Sequence, residues 1–188
     1  MFNKTAKRRF IAVLTLFMVT ILVCSGCSKI IKNEINESVG DKISNNFKSS
    51  GLIRCRETTS KINLERNDNV ISLTFCGDDM LNGMKFVLDT KKDSTSAEFK
   101  DVNIPIPKEA NTLIGIVSRI FDALDEKENT EMTEKDGVYV ISPRNNKDFF
   151  ITADKKDCKL ISISVPSVDL EVNFESFEYT SVSTTESR

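Results

Sequence analysis

The chain has no histidine and no tryptophan, and only two tyrosines, four prolines and seven glycines in 188 residues. The missing histidine excludes the most. It removes Ser-His-Asp and Cys-His nucleophilic machinery, histidine-ligated zinc and any imidazole acid–base step. So few prolines and glycines also rule out a low-complexity chain. No long block of one charge sign is present. Lys and Arg number 26 against 28 Asp and Glu, a net charge of −2, so nothing signals a nucleic-acid tail. There is no Gly-rich phosphate loop and no Ser between elbow glycines. What is there is 39% hydrophobic and 29% charged, with 12 Phe, and fits one folded domain plus an appendage.

The appendage is at the start. Lys4, Lys7, Arg8 and Arg9 precede an apolar run over residues 10–23, which breaks into Cys24-Ser25-Gly26-Cys27. The run is shorter than the roughly 20 residues that span a bilayer. A basic start, a short apolar core and small residues before a cut describe a secretory signal. Its Ser-Gly-Cys ending resembles the bacterial lipobox, although Cys24 stands where that family usually has Leu. The resemblance implies a signal peptide over residues 1–26, cut before Cys27, with Cys27 carrying a diacylglycerol and an acylated amino terminus. A plain signal peptide or an uncleaved anchor is the competing reading. Acyl chains contribute about 0.8 kcal/mol per buried CH2, so several give a stable anchor in the cell membrane on its extracytoplasmic side. The chain from Cys27 onward has 162 residues, with 22 Lys and Arg against 28 Asp and Glu, a net charge of −6. Such a surface has no general affinity for nucleic acid. Three cysteines remain, Cys55, Cys76 and Cys158, and an odd number leaves at least one unpaired. Cys55 and Cys76 fall in expected strands and could be bridged, or all three could be small buried hydrophobes.

Residues 28–47 carry Ile31, Ile35, Val39, Ile43 and Phe47 at i+4 spacing, which predicts a helix ended by Ser49-Ser50-Gly51. That helix either packs on the domain or serves as an interface near the membrane. A period of two follows. Ile53 and Cys55, Ile62 and Leu64, Ile71, Leu73 and Phe75, and Met84, Phe86 and Leu88 predict half-buried antiparallel strands, with one weaker strand over 97–104. Ala110, Leu113, Ile114, Val117, Ile120, Phe121 and Leu124 predict an amphipathic helix over 108–124, fraying into the acidic stretch 125–129. Strands return over 138–141, 148–153 and 160–165, the last with Ile161, Ile163 and Val165 aligned. Leu170, Val172 and Phe174 align and then slip by one to Phe177 and Tyr179, which predicts a β-bulge or bend at Glu175-Ser176. Residues 181–188 form a polar tail. The fold class is therefore α+β: a curved antiparallel sheet of eight to ten strands, covered by an N-terminal helix and a central amphipathic helix, over residues 27–180.

Candidate chemistry is sparse. Asp78-Asp79 and the turn 154–157 lack the ligand spacing of a calcium loop. Glu171, Glu175 and Glu178 read as a solvated strand face rather than a glycosidase pair. No catalytic residue, metal or cofactor is expected. The apolar sheet face, to which Phe75, Phe86, Phe149, Phe150 and Phe174 contribute, is either a plain core or the lining of a partly covered apolar cavity.

The late stretch Gly137-Val138-Tyr139-Val140-Ile141, then Asp148-Phe149-Phe150-Ile151-Thr152-Ala153-Asp154, Lys159-Leu160-Ile161-Ser162-Ile163 and Val172-Asn173-Phe174-Glu175-Ser176-Phe177 resembles the LolA/LppX group of lipoprotein-carrier and lipid-binding folds. The resemblance covers residues 28–180 and implies an incomplete β-barrel with a helical lid over an apolar cavity. It transfers no functional residue. A narrower resemblance, in size, lipobox and low-GC composition, is to lipoproteins needed for spore germination. It implies a non-catalytic protein that binds and activates a cortex-modifying N-acetylmuramoyl-L-alanine amidase. The two readings differ in class. A lipid or lipoprotein carrier needs an open cleft. An amidase partner needs a packed interior and exposed edge strands, able to pair with that partner or with a second copy as a homodimer.

Overall fold

Alternating apolar residues become strands wherever they occur in the described chain, which comprises residues 39, 42–78, 80–107, 112–125 and 130–180 of a computed structural model. The strands are β1 (Phe47–Cys55), β2 (Thr58–Asn67), β3 (Val70–Phe75), β4 (Lys85–Asp89), β5 (Ser94–Phe99) and β6 (Val102–Pro105), then β7 (Thr130–Lys135), β8 (Val138–Pro143), β9 (Phe150–Asp154), β10 (Leu160–Val165) and β11 (Leu170–Tyr179). Helix α1 (Leu113–Asp125) separates β6 from β7, and a 3-10 turn, Pro166–Val168, precedes β11. All strands join one antiparallel sheet in the order β6-β5-β4-β3-β2-β1-β11-β10-β9-β8-β7. Two meanders, one on each side, are joined at the centre by β1 and β11. The sheet curves without closing, with β6 and β7 as its two edges.

The central pair carries the predicted bulge. Ser50 faces Ser176 while Gly51 faces Phe174, so Glu175 has no partner on β1. Gly51 is required there. A Cβ at this position would overlap the Asn173 carbonyl oxygen and lie 2.9 Å from the Phe174 Cα, both of them backbone atoms that cannot yield. Helix α1 lies across the inner face. Its Leu113, Ile116, Val117, Ile120 and Phe121 meet Ile53, Ile62, Leu64, Leu73, Ile163, Leu170 and Val172 of the sheet, leaving a void of only about 20 Å³. Thr112 caps the helix, accepting a 3.1 Å bond on its hydroxyl from the Gly115 N–H.

At the far end of the helix, Arg66 is 9% exposed. Its Nη2 donates to both Asp125 carboxylate oxygens, at 2.9 and 3.1 Å, and its guanidinium carbon stands 5.7 Å from the Phe121 ring centroid. Its Nε and Nη1 find no hydrogen-bond partner among the described residues. The pair therefore ties α1 to β2 rather than adding much net stability.

Several expectations need correction. Residues 28–38, 40 and 41 of the expected N-terminal helix lie outside the described residues, as do the signal peptide and the tail 181–188. Val39, Lys42 and Ile43 are helical, but Phe47 belongs to β1, and Ser49-Ser50-Gly51 continues that strand instead of ending a helix. The switch is made by Asn46, whose side chain accepts a 2.6 Å bond from the Asp68 N–H and donates at 3.1 Å to the Asp68 carboxylate. The single strand expected over 97–104 is two, because Lys100 adopts a positive φ of 55° and turns the chain. Residues 108–111 and 126–129 also lie outside the described residues, and α1 is seen from Leu113. β7 was not expected, since Thr130-Glu131-Met132-Thr133-Glu134-Lys135 has one large apolar residue. Ile161 does not align with Ile163. A register shift between Leu160 and Ser162 turns Leu160 inward and leaves Ile161 39% exposed.

Gly51→Ala should lower unfolding stability in urea by about 2 kcal/mol or more, because backbone must move to admit the methyl group. Ser50→Ala, next to it but pointing at solvent, should cost under about 1 kcal/mol.

Candidate functional site

An open cleft of about 950 Å³ lies at the end of the sheet where β1 turns into β2. Its floor is apolar: Ile53, Phe75, Leu81, Leu113, Ile116, Val168 and Leu170. Its rim is polar: Cys55, Arg56, Glu57, Thr58, Ser60 and Ser167. Four separate pieces of chain build it. The β1–β2 turn holds Arg56 at a positive φ of 54°. That turn is tied to the turn before β11 by the Arg56 N–H, which donates to the Asp169 carbonyl at 2.9 Å. The β3–β4 loop supplies Leu81, and the first turn of α1 supplies Leu113 and Ile116. Outside the cleft, Arg54 braces the same wall by pairing with Glu171 at 2.8 Å and Asp169 at 3.5 Å. The hydrogen bond from Arg54 holds the Glu171 carboxyl below its ordinary range.

Arg56, Glu57 and Cys55 are the titratable groups that line the cleft. One carboxylate with no second facing it among the lining residues does not make an acid–base pair. Among the described residues, no group of three or more His, Cys, Asp or Glu could hold a metal ion. The acidic turn at 154–157 is explained by the backbone: the Asp154 carboxylate accepts from the Lys156 and Asp157 N–H groups, and Asp157 accepts from Lys159.

The candidate cavity residues separate. Phe75 lines the cleft and meets Phe86 edge-to-face, with ring centroids 6.2 Å apart. Phe86 lies on β4 packed against the core, and Phe149 is buried just before β9. Phe174 belongs to an aromatic cluster with Phe177, Phe47, Phe121 and Tyr179, in which Phe47 and Phe177 stack at 4.8 Å. Leu81, Leu113 and Val168 were not foreseen as lining. Nothing local marks them, since they come from a loop, a helix start and a 3-10 turn. Cys27 lies outside the described residues. No helix among the described residues is long and apolar enough to cross a membrane.

The three remaining cysteines are free, and only Cys158 is buried; Cys55 is exposed and Cys76 half-buried. The Cys76 N–H donates to the Lys61 carbonyl at 2.8 Å, and Lys61 faces Leu52, so Cys76 lies two strands from β1 and three residues out of step with Cys55. Two strand spacings, about 9.6 Å, already exceed the roughly 7 Å that a disulfide allows. Burial pushes the Cys158 thiol up from its ordinary range. Iodoacetamide at neutral pH should therefore label Cys55 first, Cys76 more slowly and Cys158 only on unfolding, as read by peptide mass spectrometry. Rapid labelling of Cys158 in the folded protein would contradict this packing.

No family model matches the sequence, and no curated protein matches it. Solved structures do resemble the fold. One is an uncharacterised conserved protein from Thermus thermophilus, at 10% identity and TM-score 0.49, covering 78% of this chain and 86% of that one. Another is a LolA superfamily protein from Nitrosomonas europaea, at 8% identity and TM-score 0.41, covering 77% of this chain and 93% of that one. At that distance neither carries a function or a site residue to this chain.

Proposed function

We propose that this chain is a membrane-anchored, non-catalytic accessory lipoprotein, required for spore germination, that binds and activates a cortex-modifying N-acetylmuramoyl-L-alanine amidase. The observation that carries this reading is the filled interior. Under the middle of α1, at Val117, Ile120 and Phe121, helix and sheet enclose a void of about 20 Å³, and the larger space opens to solvent at the start of the helix. Function then falls to the outer surface and the sheet edges. β6 presents Val102 and Ile104 at 56% and 55% exposure, an apolar pair suited to a protein partner. The lipobox-like start supports a position at the membrane, and the lack of histidine in the whole chain favours an accessory over a catalyst.

A second reading, a lipid- or lipoprotein-binding carrier, is favoured by the open cleft of about 950 Å³ with its apolar floor. One pair of assays separates the two. The lipidated protein in mild detergent is added to the cortex amidase of the same bacterium acting on purified cortex peptidoglycan. It is separately titrated with a fluorescent fatty acid. The accessory reading predicts amidase activity raised about tenfold or more, no hydrolysis by the lipoprotein alone, and no saturable uptake of the fatty acid. An unchanged amidase together with stoichiometric fatty-acid binding, lost in Leu81→Asp, would establish the carrier instead.

A further inference from the structure

A second depression, of about 660 Å³, lies where β1 begins and β11 ends. The nine residues of β1 separate it from the cleft, about 26 Å at about 3.3 Å per step. Three pieces of chain line it. Ser44, Asn45 and Asn46 come from the residues before β1, Asp68 and Asn69 from the β2–β3 turn, and Tyr179 and Thr180 from the end of β11. Among the described residues, no Lys, Arg or aliphatic side chain lines it, and Asp68 is the one charged group.

The frame of this site is held by hydrogen bonds. Asn46 is 7% exposed and grips Asp68 twice, accepting from its N–H at 2.6 Å and donating to its Oδ1 at 3.1 Å. Asp68 is thereby kept at a positive φ of 52°. The Asn46 carbonyl accepts from the Thr180 N–H at 2.9 Å, and the Asn69 carbonyl accepts from the Thr90 N–H at 2.8 Å. The Tyr179 hydroxyl donates to the Cys158 carbonyl at 2.7 Å, which holds the ring in place. The side-chain groups on this frame are left open. Ser44 Oγ is buried and has no hydrogen-bond partner among the described residues. Within the same residues, the Asn45 and Asn69 amides, the Thr180 hydroxyl and the second Asp68 carboxylate oxygen take no partner either. A fixed frame that carries unused polar groups spends little ordering entropy on a ligand.

The lining selects among ligand classes. An acyl chain finds no aliphatic wall. A phosphate or carboxylate finds no cation, and Asp68 repels it. A bare metal ion finds one carboxylate in a space far larger than its coordination sphere. Amides and hydroxyls both donate and accept, and they match a molecule covered in groups of the same kind. We propose that this depression is a saccharide subsite that takes an uncharged N-acetylhexosamine unit of a glycan. Asp68 accepts from a sugar hydroxyl, and the Asn45 and Asn69 amides pair with the N–H and carbonyl of the acetamido group. The site goes beyond amidase activation and holds whether or not that partner binds.

The test is calorimetric titration of the lipidated full chain in mild detergent with three tetrasaccharides: chitotetraose, cellotetraose and the fully de-N-acetylated chitosan tetramer. Chitotetraose should bind saturably at one site per chain. Asn69→Ala and Thr180→Val, which remove side-chain groups that the described fold does not use, should keep the wild-type urea midpoint. Each should weaken chitotetraose about fivefold, the loss of one uncharged hydrogen bond. Cellotetraose lacks the acetamido groups and the chitosan tetramer replaces them with ammonium groups, so both should bind about tenfold more weakly or less. No saturable binding of chitotetraose would overturn the proposal, and so would binding that both variants leave unchanged. Cellotetraose bound as tightly as chitotetraose would overturn the acetamido assignment. Tighter binding of the chitosan tetramer would overturn the uncharged class.

Discussion

The structure depends on the pairing of β1 with β11. Among the described residues these are the first and last strands, and they meet at the centre of the sheet, so neither meander can hold its place without them. All nine residues of β1 find partners on both β11 and β2. The unpaired Glu175 and the Cβ-free Gly51 sit at the middle of this seam. A bulge increases local twist and bends the strand that carries it. The curvature over which α1 lies is set there, and both β1 and β11 are needed to create it.

The helix then decides what kind of protein the curved sheet becomes. Its apolar face spans about three turns from Leu113 to Leu124, and the Arg66–Asp125 pair holds its far end. Phe121 stacks on Phe47, which stacks on Phe177, so the helix is keyed into the bulged strand pair at that end. At its other end, Leu113 and Ile116 contact the floor of the cleft, and the packing opens. One element thus closes the interior at one end and shapes an open, polar-rimmed cleft at the other. The void at the closed end is about 20 Å³, and the open end presents an apolar floor to solvent.

Much of this was legible in the residues. The phase slip between Phe174 and Phe177 marked the bulge, and alternation marked β3, β9 and β11 with the correct inward faces. The spacing of Leu113 to Leu124 marked α1, although only the fold shows Thr112 as its cap. Other parts were not legible for identifiable reasons. β7 buries one side of an edge strand and so carries charges where an interior strand carries valines. Ser49-Ser50-Gly51 has turn composition but is a strand, because the close approach of Asn173 demands glycine and the Ser49 hydroxyl donates to the buried Leu64 carbonyl. Ile161 looked inward until a register shift that no periodicity shows turned it out. The cleft was invisible because its walls come from four segments far apart in sequence.

Under the proposed function, this protein acts by holding another protein against its outer surface and not by holding a lipid inside. The most direct measurement is native mass spectrometry of the protein extracted gently from membranes of sporulating cells. The account predicts a stoichiometric cell-wall amidase bound to it and no acyl ligand beyond its own anchor. A stoichiometric lipid or acylated peptide, with no protein partner, would contradict it.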